Sequence, residues 1–201
     1  MDLEKSVADL AGRIFLLEQR VSELESGNEG SSAKGAANNG RVKDVNHSRL
    51  TEKTGMQYLK KRLDVLGIEL VRAGTRADSI QYLVFPDGKR SKACVSFSKS
   101  FSGEDDLFGG WNRFRKDFID DPAMAFFIPI IVNEKNEAIA FIIPRVDMLR
   151  LLEMKEVDKR GNYHFSILFR KSTGECYDYR NPEKTHVDMT AYKDAWNLLK
   201  R

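Results

Sequence analysis

Cysteine and histidine are scarce in this chain of 201 residues, which has 2 Cys and 3 His, alongside 2 Trp and 5 Pro. Cys94 and Cys176 stand alone, with no Cys-x-x-Cys pair, so neither a zinc site nor a disulfide framework is expected and a reducing compartment suits the chain. His47, His164 and His186 are scattered without the spacing of metal ligands. No apolar run reaches the length of a membrane span. Asp2, Glu4 and Asp9 stand where a secretory leader would be basic and then apolar, so the expectation is a cytoplasmic protein with no membrane partner. Also missing are a Gly-x-Ser-x-Gly elbow and a Gly-rich loop ending in lysine and Ser/Thr, which sets aside the commonest hydrolase and nucleotide cradles.

What is present begins with a heptad. Leu3, Val7, Leu10, Ile14, Leu17, Val21 and Leu24 recur at alternating spacings of four and three. With β-branched Val7, Ile14 and Val21 at a and leucines at d, the seam predicts a parallel two-stranded coiled coil over residues 1–26. Arg13 and Glu18, and likewise Arg20 and Glu25, fall at positions that pair across such a dimer. Residues 27–45 are rich in Gly, Ser and Asn and read as a flexible linker. The globular domain is expected over residues 46–201.

Its pattern predicts a helix from Thr51 with Met56, Leu59, Leu63 and Leu66 on one stripe and Gly67 as its C-terminal cap. A short strand follows at Ile68 to Val71. Ser79 to Phe85 and Ser91 to Ser98 read as a hairpin about Pro86-Asp87-Gly88-Lys89. The spacing of Trp111, Phe114 and Phe118 suggests a helix whose polar face carries Arg113, Arg115 and Lys116. Phe126 to Val132 and Ala138 to Ile143 form a second hairpin with both faces covered. Pro144 opens a further helix, Tyr163 to Phe169 is a strand, Gly174 to Tyr179 is a short edge strand, and Thr190 caps a final helix to Leu199. The sum is an α/β (α+β) domain, a mixed β-sheet flanked by helices.

Charge is uneven. Residues 50–116 hold 13 Lys and Arg against 8 Asp and Glu, whereas residues 117–201 hold 13 against 14. Such an excess suits phosphate neutralisation. Candidate nucleic-acid contacts are Lys60, Lys61, Arg62, Arg72, Arg76, Lys89, Arg90, Lys92, Lys99, Arg113, Arg115 and Lys116. The acidic pairs Asp105-Asp106 and Asp120-Asp121 read as solvated surface charge.

The helix ending in Leu66 to Arg72, the polar loop with Asp78 opening a strand, and the strand ending Val95-Ser96-Phe97-Ser98-Lys99-Ser100 together resemble the start of the PD-(D/E)xK nuclease-like superfamily. The likeness is to its Holliday junction resolvase and restriction-endonuclease branches, and it implies a restriction-endonuclease-like fold. Phe126 to Val132 and Phe141 to Pro144 are similar to hairpins that follow the core in such families. In that superfamily carboxylates converge on magnesium, which positions water at the scissile phosphate, and a lysine assists. Asp78 matches the first acid. Ser96 and Ser98 stand where the second acid and the lysine belong, and Met56 where the helix acid belongs. The resemblance therefore implies a degenerate catalytic set and no expected cofactor. An active enzyme would need magnesium on Asp78, with Lys99 and Glu52 as relocated groups. The leading expectation is a homodimer that binds DNA or RNA through a nuclease-like domain. The alternatives are an active metal-dependent endonuclease and a protein interaction module made bivalent by the coil.

Overall fold

The computed structural model describes residues 41–73, 80–179 and 186–200. The heptad seam of residues 1–26, Arg76 and Asp78 lie outside the described residues. A compact unit spans Val45–Arg201.

Helix α1 runs Arg41–Val65, starting ten residues before Thr51. It ends where expected. Gly67 takes φ +67°, and the N–H of Ile68 donates to the carbonyl of Leu63 at 3.0 Å, the six-to-one bond of a glycine-terminated helix. Three antiparallel strands follow: β1 (Glu69–Arg72), β2 (Ile80–Val84) and β3 (Arg90–Lys99). The β2–β3 turn closes with Phe85 N–H on the Lys89 carbonyl at 2.8 Å and Gly88 at φ +81°.

The next segment departs from the expected helix. Residues Leu107–Arg115 form strand β4, and only Lys116–Asp120 is helical (α2). Trp111, Phe114 and Phe118 match a helical spacing, but tertiary packing selects period two: Phe108, Asn112 and Phe114 turn inward while Arg113 and Arg115 are exposed. Arg113, Arg115 and Lys116 therefore do not share a helix face. Strand β5 (Met124–Val132) lies parallel to β3, and it pairs antiparallel with β6 (Ala138–Ala140) and β7 (Ile143–Pro144). Proline in a central strand removes a ladder donor. Pro129 falls between the β5 residues that pair with β6 and those that pair with β7, where that side of the ladder is interrupted.

Pro144 precedes α3 (Arg145–Leu152), as expected. Strands β8 (Asn162–Arg170), β9 (Cys176–Asp178) and β10 (Val187–Asp188) then join β4 in a second, antiparallel sheet of order β10-β9-β8-β4. Two sheets thus replace the expected single mixed sheet, and β9 is flanked on both sides rather than being an edge. The final helix is replaced by two 3-10 turns, Thr190–Tyr192 and Trp196–Lys200. The break between them holds Asp194 at φ +48°, where its Oδ1 accepts the Tyr58 hydroxyl at 2.6 Å. At the same break the Asp194 N–H donates to the Ala140 carbonyl at 2.7 Å, outside any helical pattern.

The α+β domain stacks α1, the mixed six-stranded sheet and the four-stranded sheet. Leu59 and Leu63 of α1 pack on Leu83, Val95, Phe126, Ile128 and Ile130. The other face of the mixed sheet supplies Cys94, Phe127 and Ile131 to a core shared with Phe108, Phe114, Phe165 and Ile167 of the second sheet. Strand β5 alternates between the two cores, which is why its residues are apolar almost without interruption.

Candidate nucleic-acid interface

Among the described residues, those of the nuclease-like pattern do not assemble into a metal site. Ser98 faces the second sheet and is 9 % exposed. Asn112 of β4 donates from Nδ2 to Ser98 Oγ at 3.2 Å. Gly110 closes over the same hydroxyl so tightly that a Cβ there would sit 2.5 Å from it. Strand β4 thus covers the position of β3 where the family places its lysine. Lys99, one residue on, turns to the opposite face, and its ammonium pairs with Glu134 at 3.1 Å. The register shift on β3 lies at Lys92/Ala93, so no bulge returns Lys99 to the face of Ser98. Glu52 is exposed on α1, and Met56 is half-buried. Among the described residues no three His, Cys, Asp or Glu side chains converge on a common point.

The cysteines are buried thiols, and burial with the nearby Asp117 charge pushes Cys94 up to about 12. They are packing groups, not nucleophiles.

The basic residues divide into two sets. One set is committed to acids: Lys89 to Asp87, Lys92 to Asp121 at 2.5 Å, Lys99 to Glu134, Arg115 to Asp117, and Lys116 to Asp120 at 2.6 Å. The Lys92 ammonium holds the Asp121 carboxyl below its usual range. Asp105 and Asp106 are also engaged, with Lys135 and with Ser172, so neither acidic pair is simply solvated. Each such pair cancels part of the local positive potential that a phosphate would feel.

The other set has no ion pair among the described residues. Lys60, Lys61 and Arg62 are exposed on α1, and the Arg62 guanidinium lies 5.4 Å from the Tyr58 ring. Arg72 ends β1. Arg90 lies 4.6 Å over Tyr82, on the side of the sheet turned away from α1. Arg113 lies 5.1 Å over Trp111, on the outer face of the second sheet.

Helical spacing puts Lys53, also exposed, on the same side of α1 as Gln57, Lys60, Lys61 and Asp64. The last four of these edge a shallow depression with Val65. The buried stripe of the helix is Thr51, Gly55, Leu59 and Leu63, so the lysines point to solvent because the opposite side is anchored. Lys53 was legible as a surface lysine but not as part of this row, because the buried stripe begins at Thr51 and Gly55 where an apolar pattern does not mark it. Comparison with protein-family models, curated proteins and solved structures finds no match for this chain.

Proposed function

We propose that residues 46–201 form a nuclease-like domain that binds nucleic acid without cleaving it, presented in two copies by a coiled coil over residues 1–26. The observation that carries this reading is the row of exposed lysines on α1, Lys53, Lys60 and Lys61, which have no carboxylate partner among the described residues. Cations so placed supply sequence-independent attraction for phosphates. The burial of Ser98 beneath Asn112 and Gly110 supports binding over an active nuclease with relocated ligands, because a magnesium ion and a phosphate would need that space. Two buried free thiols suit a reducing, cytoplasmic setting, and no helix among the described residues is long and apolar enough to cross a membrane.

A bivalent protein-interaction module is the second reading. It is favoured by Val146, Leu149, Met154 and Val157, which are 39–56 % exposed on and after α3.

Fluorescence anisotropy with labelled duplex DNA across a salt series tests the first reading. Binding is expected at low salt, with a slope that falls by about two when Lys60→Glu and Lys61→Glu are combined. Absence of binding at low salt, or an unchanged slope in the variant, overturns the assignment to α1. Magnesium-dependent cleavage that disappears in Asp78→Ala restores the nuclease alternative.

A further inference from the structure

The outward face of the four-stranded sheet carries a row of rings. Trp111 of β4 lies opposite Ser166 of β8. Tyr179, just past β9, donates its backbone N–H to the Ser166 carbonyl at 2.9 Å. The His186 ring is 4.1 Å from that of Tyr179, and Tyr177 is 6.4 Å away. Trp111, Tyr177 and Tyr179 are half-exposed and His186 is exposed. Arg113 sits against Trp111 with its guanidinium exposed, and no carboxylate among the described residues pairs with it.

Ser166 lies beneath this row and is 6 % exposed, and its Oγ has no hydrogen-bond partner among the described residues. Among the described residues, Asp158 on this side is engaged with the His164 ring at 2.7 Å, and Asp188 with the Thr190 N–H at 2.8 Å.

We propose that this face binds single-stranded nucleic acid, with bases against the row from Trp111 to Tyr179 and His186, and a phosphate on Arg113. Every base presents a flat π face, and rings on strands of one sheet are spaced to receive successive bases. Arginine adds both charge and a stacking plane. A duplex keeps its bases stacked on one another and so gains nothing from the rings. Stacking reads the base and not the sugar, so DNA and RNA strands of one sequence bind alike. The inference rests on the nucleic-acid reading above but assigns a different surface and a different strandedness.

Anisotropy of the full chain with labelled oligo-dT, oligo-U and duplex DNA tests it. Tyr179→Leu is expected to weaken both single strands by roughly 5- to 150-fold, the range for losing one stacked base, and to leave the duplex unchanged. Arg113→Gln, at an exposed site, should weaken single strands while thermal unfolding stays where it is. Single-strand affinity that is unchanged in both variants overturns the inference. Binding of duplex but of neither single strand overturns it while the α1 assignment stands. Binding of none of the three overturns both.

Discussion

A hydrogen-bond chain at the end of the four-stranded sheet shows how far single side chains are determined by their neighbours. Trp111 can only donate from Nε1, and it does so to His164 Nδ1 at 3.1 Å. The proton of the neutral ring is then on Nε2, facing Asp158 Oδ2 at 2.7 Å. Burial opposes charge on Asp158. The backbone N–H groups of Asn162 and Arg160, with the His164 and Asn162 side chains, outweigh it and hold the carboxyl far below the usual carboxylate range. A carboxyl depressed on folding stabilises the fold above its unfolded pKa, about 4, and that contribution is lost as pH falls toward the folded value. Urea midpoints should therefore fall between pH 5 and pH 3, and fall less steeply in Asp158→Asn. Parallel slopes in the two proteins would show that these bonds do not favour the charged form.

Between elements, close approach is set by glycine. Gly110 lets β4 lie against Ser98 and Ile131, where a Cβ would meet side-chain atoms at 2.4 to 2.6 Å. Gly110→Ala should lower stability by about 1–3 kcal/mol through overpacking, read from denaturant midpoints at constant slope. A change within about 0.5 kcal/mol would mean that the two sheets part more easily than their packing implies. Local signals made several elements legible. The Asp87-Gly88 turn, the Gly67 cap and the doubly apolar β5 each carry their reason within a few residues. Strand β4 was not legible, because its aromatic residues fit two periods and only the partner β8, about fifty residues on, selects between them. The same distance hid the site. That Asn112 closes over Ser98, and that Trp111 and Tyr179 flank Ser166, are facts of cross-strand register which no local pattern encodes. The charge excess of residues 50–116 was plain, but the division into paired and unpaired bases depends on which acids fold beside them.

For the molecule as a whole, the proposed coil matters through effective concentration. Because α1 already begins at Arg41, the linker expected over residues 27–45 is at most the fourteen residues before it; as a flexible tether these would span roughly 20 Å root-mean-square, and two weak sites on one polymer would then engage at high local concentration. Ile14→Asp would place an unpaired charge in the seam. Sedimentation should show a wild-type dimer at micromolar concentration and a monomeric variant, with nucleic-acid affinity lowered in parallel. A variant that still sediments wholly as dimer would remove the coil from the account. Holding chains in pairs also keeps unfolded copies close together, and the stretch most exposed to that hazard is β5, Met124–Val132. Its two phenylalanines, three isoleucines and valine are residues of high β-propensity that would template one another into stacked ladders. Pro129, seated where β6 gives way to β7, costs the native sheet no pairing on that side, yet it deprives any such fibril of a donor at its centre. The interruption in the native ladder thus also serves as a gatekeeper against misassembly.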